Sequence, residues 1–403
     1  MNVSNKNLEK NNKKDIKNII LLIYIYMPFI TNILENTFSV SGTVNYIIQI
    51  ILILFLLCFE KINNKVCCFL LLFILSIGIN YVLVDYKYYV IVEGIQAFIG
   101  ITIPCLIISN SKFNLNVFLE SWYEFSKKNL LLIILSIILF KNKLVHYSIF
   151  TSICLPNVFI ISVMFLLGKE KEGKNIIIAL INILTIMIFG GRMAGIVSLC
   201  MFIVSFIYSS NINYKKKILI YCITIIIAIA TLKNFENIIL WTNSQLINKG
   251  FHSRSITLLI NQMKNNKLYV TGRDEIYEKC FDYIKKRSGL PGGFGVPLYL
   301  TNGKYYYSHN LILQLLITFG IFGTWLVTIL ICLKLFIIKK YENKNYFKLI
   351  FFMFFSYLLI GMVGSSIWIH YISTMFIALV FFRDNKQNNS KEKKKNEKIS
   401  QEI

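Results

Sequence analysis

Long apolar runs alternate along the chain with short gaps rich in lysine and asparagine. The runs fall at 18–34, 44–60, 66–84, 89–109, 129–140, 147–168, 175–190, 194–210, 217–232, 309–337, 346–363 and 367–382. Most approach the roughly 17–25 helical residues that cross a hydrocarbon layer ~30 Å thick. A backbone in lipid must satisfy its own hydrogen bonds, so each run predicts a helix. The alternation in segments of about ten residues that a membrane β-barrel requires is missing. The pattern therefore predicts an all-α polytopic membrane protein of about twelve transmembrane helices. The run at 129–140 is short and must be tilted or extended by its flanks.

The gaps orient the runs. With the N-terminus in the cytoplasm, the inside gaps carry Lys61 and Lys65, then Lys112, Lys127 and Lys128, then Lys169, Lys171 and Lys174, then Lys215 to Lys217, and finally Lys339, Lys340, Lys344 and Lys348. The short outside gaps carry only Lys87, Lys141, Lys143 and Arg192. This asymmetry obeys the positive-inside rule and places both termini in the cytoplasm. Leaving out 129–140 would invert every later loop. The expected organisation is a cytoplasmic segment over 1–17, helices one to nine over 18–232, a large extracytoplasmic loop with short amphipathic helices over 233–308, helices ten to twelve over 309–382, and a disordered basic tail over 383–403. The first apolar run lacks a small-residue cleavage site and reads as an uncleaved helix.

Composition agrees, with 56% hydrophobic residues and 15% aromatics among 403. The formal charge of +23 is mostly topology signal and contact with anionic lipid, not a nucleic-acid surface. Nine cysteines are scattered without a disulfide framework or metal-ligand spacing. The short cytoplasmic gaps hold no nucleotide fingerprint, which argues against an ATP-driven pump.

The candidate chemistry lies on the outer side. The 233–308 loop carries eleven cations against five acids. That fits an anion site or an ordinary solvated surface. Thr271 to Asp274 reads as a capping box, opening a short amphipathic helix over about 272–287 with Ile276, Tyr277, Cys280, Phe281 and Ile284 on one face. Arg273 falls in its first turn, where the helix dipole disfavours a cation. An anion joining it would explain its place, as would pairing with Asp274 or Glu278. Leu290-Pro-Gly-Gly-Phe-Gly295 marks a turn or a close approach to a ligand, bringing in Gly293 and Gly295. Tyr305 to Asn310 lead straight into the tenth helix. His309 suits proton transfer or phosphate contact, or is simply interfacial, with Asn310 as helix cap. The tyrosines read first as an interfacial belt. Arg192 stands in the glycine-rich turn Phe189-Gly-Gly-Arg-Met-Ala-Gly195. Glu93 lies about one turn inside the fourth run, and buried acids in membranes usually face a cavity.

In order, Gly-Gly-Arg192-x-Ala-Gly, Thr-Gly-Arg273-Asp-x-Ile-Tyr, Gly-Gly293-Phe-Gly295 and His309-Asn310-x-x-Leu-Gln314 with Gly320-Ile-x-Gly323 are similar to the O-antigen ligase/polymerase family, and look like a Wzy-type polymerase. These motifs cover about 187–325, and Leu155-Pro-Asn157 resembles a further family element. Gly191 stands where members often have Ser, and Tyr277 where they often have Trp. The resemblance implies a GT-C-like fold and glycan transfer, at the outer face of the membrane, from an undecaprenyl-pyrophosphate donor to a lipid-linked repeat unit. Under it Arg192 and Arg273 hold the pyrophosphate with Arg254 as a weaker third, and His309 contacts the pyrophosphate or takes the acceptor proton. Asn310, Gly293, Gly295 and Glu93 join as substrate-binding candidates. The pyrophosphate leaves as a stable anion, so positioned cations are the main demand. The outer acids include no Asp-x-Asp, so no metal and no cofactor are expected, in a metal-independent, inverting transferase. The implied partners are the lipid-linked oligosaccharide, membrane lipid, a chain-length regulator and a flippase, with no nucleic acid. Two alternatives stand beside the polymerase. One is a ligase or protein-glycosylating transferase using the same donor. The other is a transporter or flippase of lipid-linked sugars, which would not need a large outer loop with its arginines.

Overall fold

A computed structural model describes residues 16–40, 43–59, 62–169, 174–209, 218, 233–265, 273–363, 366 and 368–383. All of the predicted run at 217–232 except Ile218 lies outside these residues, as do Thr271 and nearly all of the N-terminal segment and C-terminal tail. No strand occurs among the described residues, and the chain is an all-α membrane protein. Its helices are α1 (Ile16–Thr37), α2 (Thr43–Phe59), α3 (Asn64–Leu83), α4 (Lys87–Ile108), α5 (Leu115–Lys128), α6 (Leu130–Lys141), α7 (Ser148–Leu166), α8 (Lys174–Phe189) and α9 (Arg192–Tyr208). They continue with α10 (Phe235–Asn248), α11 (Arg254–Asn265), α12 (Arg273–Lys286), α13 (Val296–Leu300), α14 (Leu311–Tyr341), α15 (Lys344–Val363) and α16 (Tyr371–Phe382).

Six of these helices, α1, α3, α4, α7, α14 and α15, are long and apolar enough to cross a membrane; α2, α6, α8, α9 and α16 are shorter apolar helices. Each coincides with one of the predicted apolar runs. α7 is the most enclosed, packed by α1, α5, α6, α8, α9 and α15, and α4 sits among α1, α2, α3 and α16. α3 and α14 lie at the periphery. Side chains such as Val82 and Phe322, 76% and 85% exposed, would each cost about 1.5–3 kcal/mol against water. Facing lipid removes that cost.

α5 was not anticipated. Its stretch reads as a lysine-bearing gap, yet it forms a helix opened by Asn114, whose Oδ1 accepts from the N–H groups of Asn116 and Val117 at 3.1 and 3.3 Å. Leu115, Phe118, Leu119, Trp122, Tyr123 and Ser126 are its buried face, recurring at three- and four-residue spacing. Trp122 Nε1 donates to Tyr26 Oη at 3.2 Å, and Tyr26 donates to Asn157 Oδ1 at 2.6 Å. Asn129 also donates to that oxygen at 3.1 Å, while Asn157 Nδ2 donates to Asn182 Oδ1 at 2.9 Å. Asn157 thus ties α1, the α5–α6 turn and α8 together from the centre of α7, fully buried.

The long helix α14 breaks at Gly320, with φ 68° and ψ −179°. The break exchanges one hydrogen bond for two. Ile321 N–H donates to Gly289 O at 2.9 Å, and Ile317 O, its ordinary helical acceptor, takes Gly292 N–H at 2.8 Å. Gly293 N–H adds a bond to Thr318 O at 3.1 Å. The glycine loop is therefore spliced into the helix, which leaves few unpaired groups at a site where a broken ladder would otherwise be costly.

Candidate active site

Three arginines and a histidine come together from four separate parts of the chain. The Phe189-Gly-Gly turn sets the first two. Ser253 and Ser255 donate their hydroxyls to the carbonyls of Ile188 and Gly190, and Gly191 N–H donates to Thr151 Oγ1 at 3.2 Å. This pins the start of α11 against the turn between α8 and α9. A Cβ on Gly190 would lie 2.9 Å from Ile186 O, and one on Gly195 would lie 2.6 Å from Met187 Cγ. The glycines of this motif serve close helix packing. Arg192 then reaches across to α11, donating from Nη1 to Gln262 Oε1 at 2.8 Å. Arg254, between the two serines, covers the Tyr147 ring at 5.0 Å and donates from Nη1 to its hydroxyl at 3.3 Å.

Arg273 opens α12 as expected. Among the described residues it has no hydrogen-bond or ion-pair partner, and neither Asp274 nor Glu278 pairs with it. Its charge acts on Arg192, Tyr277, Tyr307 and His309. Tyr307 also interacts electrostatically with Tyr147, the ring beneath Arg254. Burial first and Arg254 second lower the pKa of His146, whose ring lies tilted against Tyr147 with centroids 4.0 Å apart.

His309 stands two residues before α14, in the left-handed region at φ 58°, uncommon for a residue with a side chain. Its ring lies 4.4 Å from Tyr307 and 5.8 Å from Tyr305. Its carbonyl accepts from Tyr277 Oη at 3.1 Å. Nδ1 is buried without a hydrogen-bond partner. Burial, and then the nearby Arg273, push its pKa from 6.5 down to about 4. The imidazole is neutral at physiological pH.

The remaining candidates take up supporting positions. Asn310 Oδ1 accepts from Leu313 N–H at 3.1 Å and caps α14. Glu93 is buried and is engaged within the protein, accepting from Gly295 N–H and from Gln314 Nε2, the latter at 3.2 Å. Gln314 Oε1 accepts in turn from Ser308 N–H at 2.9 Å. Gly293 and Gly295, at φ 85° and 81°, approach protein. A Cβ would fall 2.1 Å from Asn80 Nδ2 at Gly293 and 2.5 Å from the Tyr89 carbonyl carbon at Gly295. Tyr86 Oη donates to Gly292 O at 2.6 Å, and Phe294 N–H donates to Asn80 Oδ1 at 2.9 Å. The glycine loop, Glu93 and Asn310 thus form the scaffold behind His309. Tyr147, Gln262 and Asn80 carry no local signal of their roles; Gln314 follows His309 by five residues, but nothing in its own sequence setting announces its bridge to Glu93.

Glu275 accepts from Lys279 at 2.8 Å and Lys304 at 2.9 Å. Hydrogen bonds from these two lysines hold its carboxyl down at about 2, and the Lys304 contact ties the tyrosine-rich loop to α12. Below the glycine loop, an apolar groove of about 740 Å³ runs between α3, α14 and α16 from Gly293 and Phe294 to Lys65. No family model matches this chain, and no curated protein matches it.

Proposed function

We propose that this chain is a Wzy-type polymerase of surface polysaccharide. It moves a glycan from an undecaprenyl-pyrophosphate donor onto a lipid-linked repeat unit at the extracytoplasmic face of the bacterial cytoplasmic membrane. One observation carries the reading: the charge of Arg273 acts on Arg192, Tyr307 and a neutral His309, Tyr307 interacts with the Tyr147 ring that Arg254 covers, and no acid pairs with any of the three guanidinium groups among the described residues. Such a cluster repels itself, and a multivalent oxyanion relieves the repulsion. Guanidinium groups suit pyrophosphate because their planar donors match its oxygens.

In the proposed step the acceptor hydroxyl attacks the donor sugar at C1. The C1–O bond to pyrophosphate breaks, and a new C1–O bond to the acceptor forms. The arginines stabilise the charge that develops on the leaving pyrophosphate. His309 takes the proton of the acceptor hydroxyl. The bound pyrophosphate, placed beside Arg273, raises the basicity of the imidazole just where it is needed. The apolar groove below Gly293 and Phe294 suits the hydrocarbon tail of such a donor.

Purified protein given lipid-pyrophosphate repeat units, without ATP or added metal, tests this. A ladder of longer lipid-linked glycans is expected from the wild type, and Arg273→Ala should slow its formation by roughly 10²–10³. Donor consumption only when a different acceptor is supplied would make the chain a ligase. Movement of lipid between leaflets without any new glycosidic bond would make it a transporter.

A further inference from the structure

At the far end of the bundle, one length of α4 away from the glycine loop, lies a second cavity of about 600 Å³. α4 has 22 residues, so at about 1.5 Å per residue the two regions are some 33 Å apart. Arg383, Lys344 and Lys169 line this cavity together with Asn114, Asn116 and Asn343, and no acid is among its described lining residues.

The polar groups here are unevenly spent. Asn114 Oδ1 is used by the cap of α5. Asn343 Oδ1 accepts from Tyr346 N–H at 2.8 Å, and Asn116 Oδ1 accepts from Lys169 Nζ at 3.4 Å. With the three oxygens engaged, each side-chain amide presents its N–H groups as the remaining hydrogen-bonding function. Arg383 lies over the Tyr346 ring, its Cζ 4.0 Å from the centroid, and its Nη1 is buried without a hydrogen-bond partner. A buried guanidinium nitrogen of this kind calls for an acceptor that the described residues do not supply to it. Three charged groups bear on the cavity from its edges. Glu120 pairs with Lys169 at 3.3 Å, Lys17 Nζ donates to Asn110 Oδ1 at 3.3 Å, and Glu342 acts electrostatically on Tyr346. Glu120 offsets Lys169 in part, while Lys344 and Arg383 keep the cavity cationic and rich in donors.

We propose that this cavity binds a phosphate-bearing anion, held by Arg383 and Lys344 with the amide groups of Asn114, Asn116 and Asn343. The ligand is either the headgroup of an anionic phospholipid of the adjoining leaflet or a free phosphate ester, and the volume accommodates a glycerophosphate. The site is separate from the arginine cluster and does not depend on the function proposed for it.

Native mass spectrometry of the purified full chain tests this, with phosphatidylglycerol, phosphatidylcholine of matched acyl chains, and glycerol phosphate as probes. The wild type should retain phosphatidylglycerol over phosphatidylcholine or bind glycerol phosphate. Arg383→Gln and Lys344→Gln should each weaken that binding roughly tenfold, the loss expected for one charge-assisted hydrogen bond. Lys344 is exposed, so its variant folds even if loss of the Arg383 stack on Tyr346 does not permit it. Displacement of phosphatidylglycerol by glycerol phosphate would support a free ester as ligand; retention against it would support the lipid headgroup. Equal retention of both lipids with no glycerol phosphate bound would overturn the proposal, as would binding unchanged in both variants.

Discussion

Gln314 donates its side-chain amide to Glu93 at 3.2 Å and accepts Ser308 N–H through its oxygen at 2.9 Å. One side chain thereby couples the buried acid of α4 to the residue immediately before His309. Gln314→Leu keeps the bulk but leaves both partners unsatisfied, at about 1–3 kcal/mol for each stranded group. The variant should melt at a lower temperature in detergent and lose polymer synthesis, because the backbone of His309 loses its anchor. Full activity in Gln314→Leu would mean that Ser308 and His309 are placed by other contacts.

The arginines should rank by their engagement. Among the described residues Arg273 has no partner and Arg192 donates from one nitrogen only, to Gln262, whereas Arg254 both covers the Tyr147 ring and donates to its hydroxyl. Arg273→Ala and Arg192→Ala are each expected to lower kcat by roughly 10²–10³, the usual cost of removing one preorganised oxyanion contact. Arg254→Ala should cost less. Initial rates with a defined lipid-pyrophosphate donor decide it, and a larger loss for Arg254→Ala than for Arg273→Ala would reverse the assignment.

The pKa of His309 gives two pH effects. Folded, it titrates at about 4 rather than 6.5, so the folded chain binds fewer protons than the unfolded chain between these values. Stability is unaffected above pH 6.5 and falls as pH drops from 6.5 toward 4. His309→Gln should make that acid-side decline shallower in melting curves taken at successive pH values. Pyrophosphate binding beside Arg273 should raise the imidazole pKa, which NMR of labelled histidine can follow; an unmoved or lowered value would separate His309 from the anion site.

The break in α14 requires glycine. At Gly320 a Cβ would lie 2.7 Å from Gly289 O and 2.7 Å from Pro291 N, at φ 68°. Gly320→Ala must strain the backbone and push the glycine loop off the helix, and is expected to cost at least about 1–3 kcal/mol. Gly78→Ala is the control, since nothing lies within 4 Å of the added carbon. Comparable melting temperatures for the two variants would remove the loop from its structural role.

At the core of the bundle, Asn157 makes hydrogen bonds to Tyr26, Asn129 and Asn182. Asn157→Leu should lower the melting temperature clearly, though bonds of this kind within membranes average only about 0.6 kcal/mol each. Asn36→Leu, at an exposed position bonding within its own helix, should change it little.

Much of this protein is determined by local sequence. An apolar run in lipid has one way to satisfy its backbone, so eleven of the twelve predicted runs reappear as helices, six of them long enough to span; the twelfth, 217–232, lies outside the described residues except for Ile218. The amphipathic face of Ile276, Tyr277, Cys280 and Ile284 likewise foretold α12, with Ile276 and Cys280 fully buried, but Phe281, expected on the same face, turns outward and is 60% exposed. α5 escaped notice because its apolar residues are spaced along one face and interrupted by polar ones. The site itself was legible only as a set of candidates. That Arg192, Arg254, Arg273 and His309 meet, while Glu93, Gly293 and Gly295 turn inward to support them, depends on contacts as distant as the 221 residues separating Glu93 from Gln314. Side-chain hydrogen bonds and glycine contacts across such distances leave no periodicity along the chain. They exist only once the helices have packed, and the packing is what separates groups engaged within the protein, such as Glu93, from Arg273, which has no partner among the described residues.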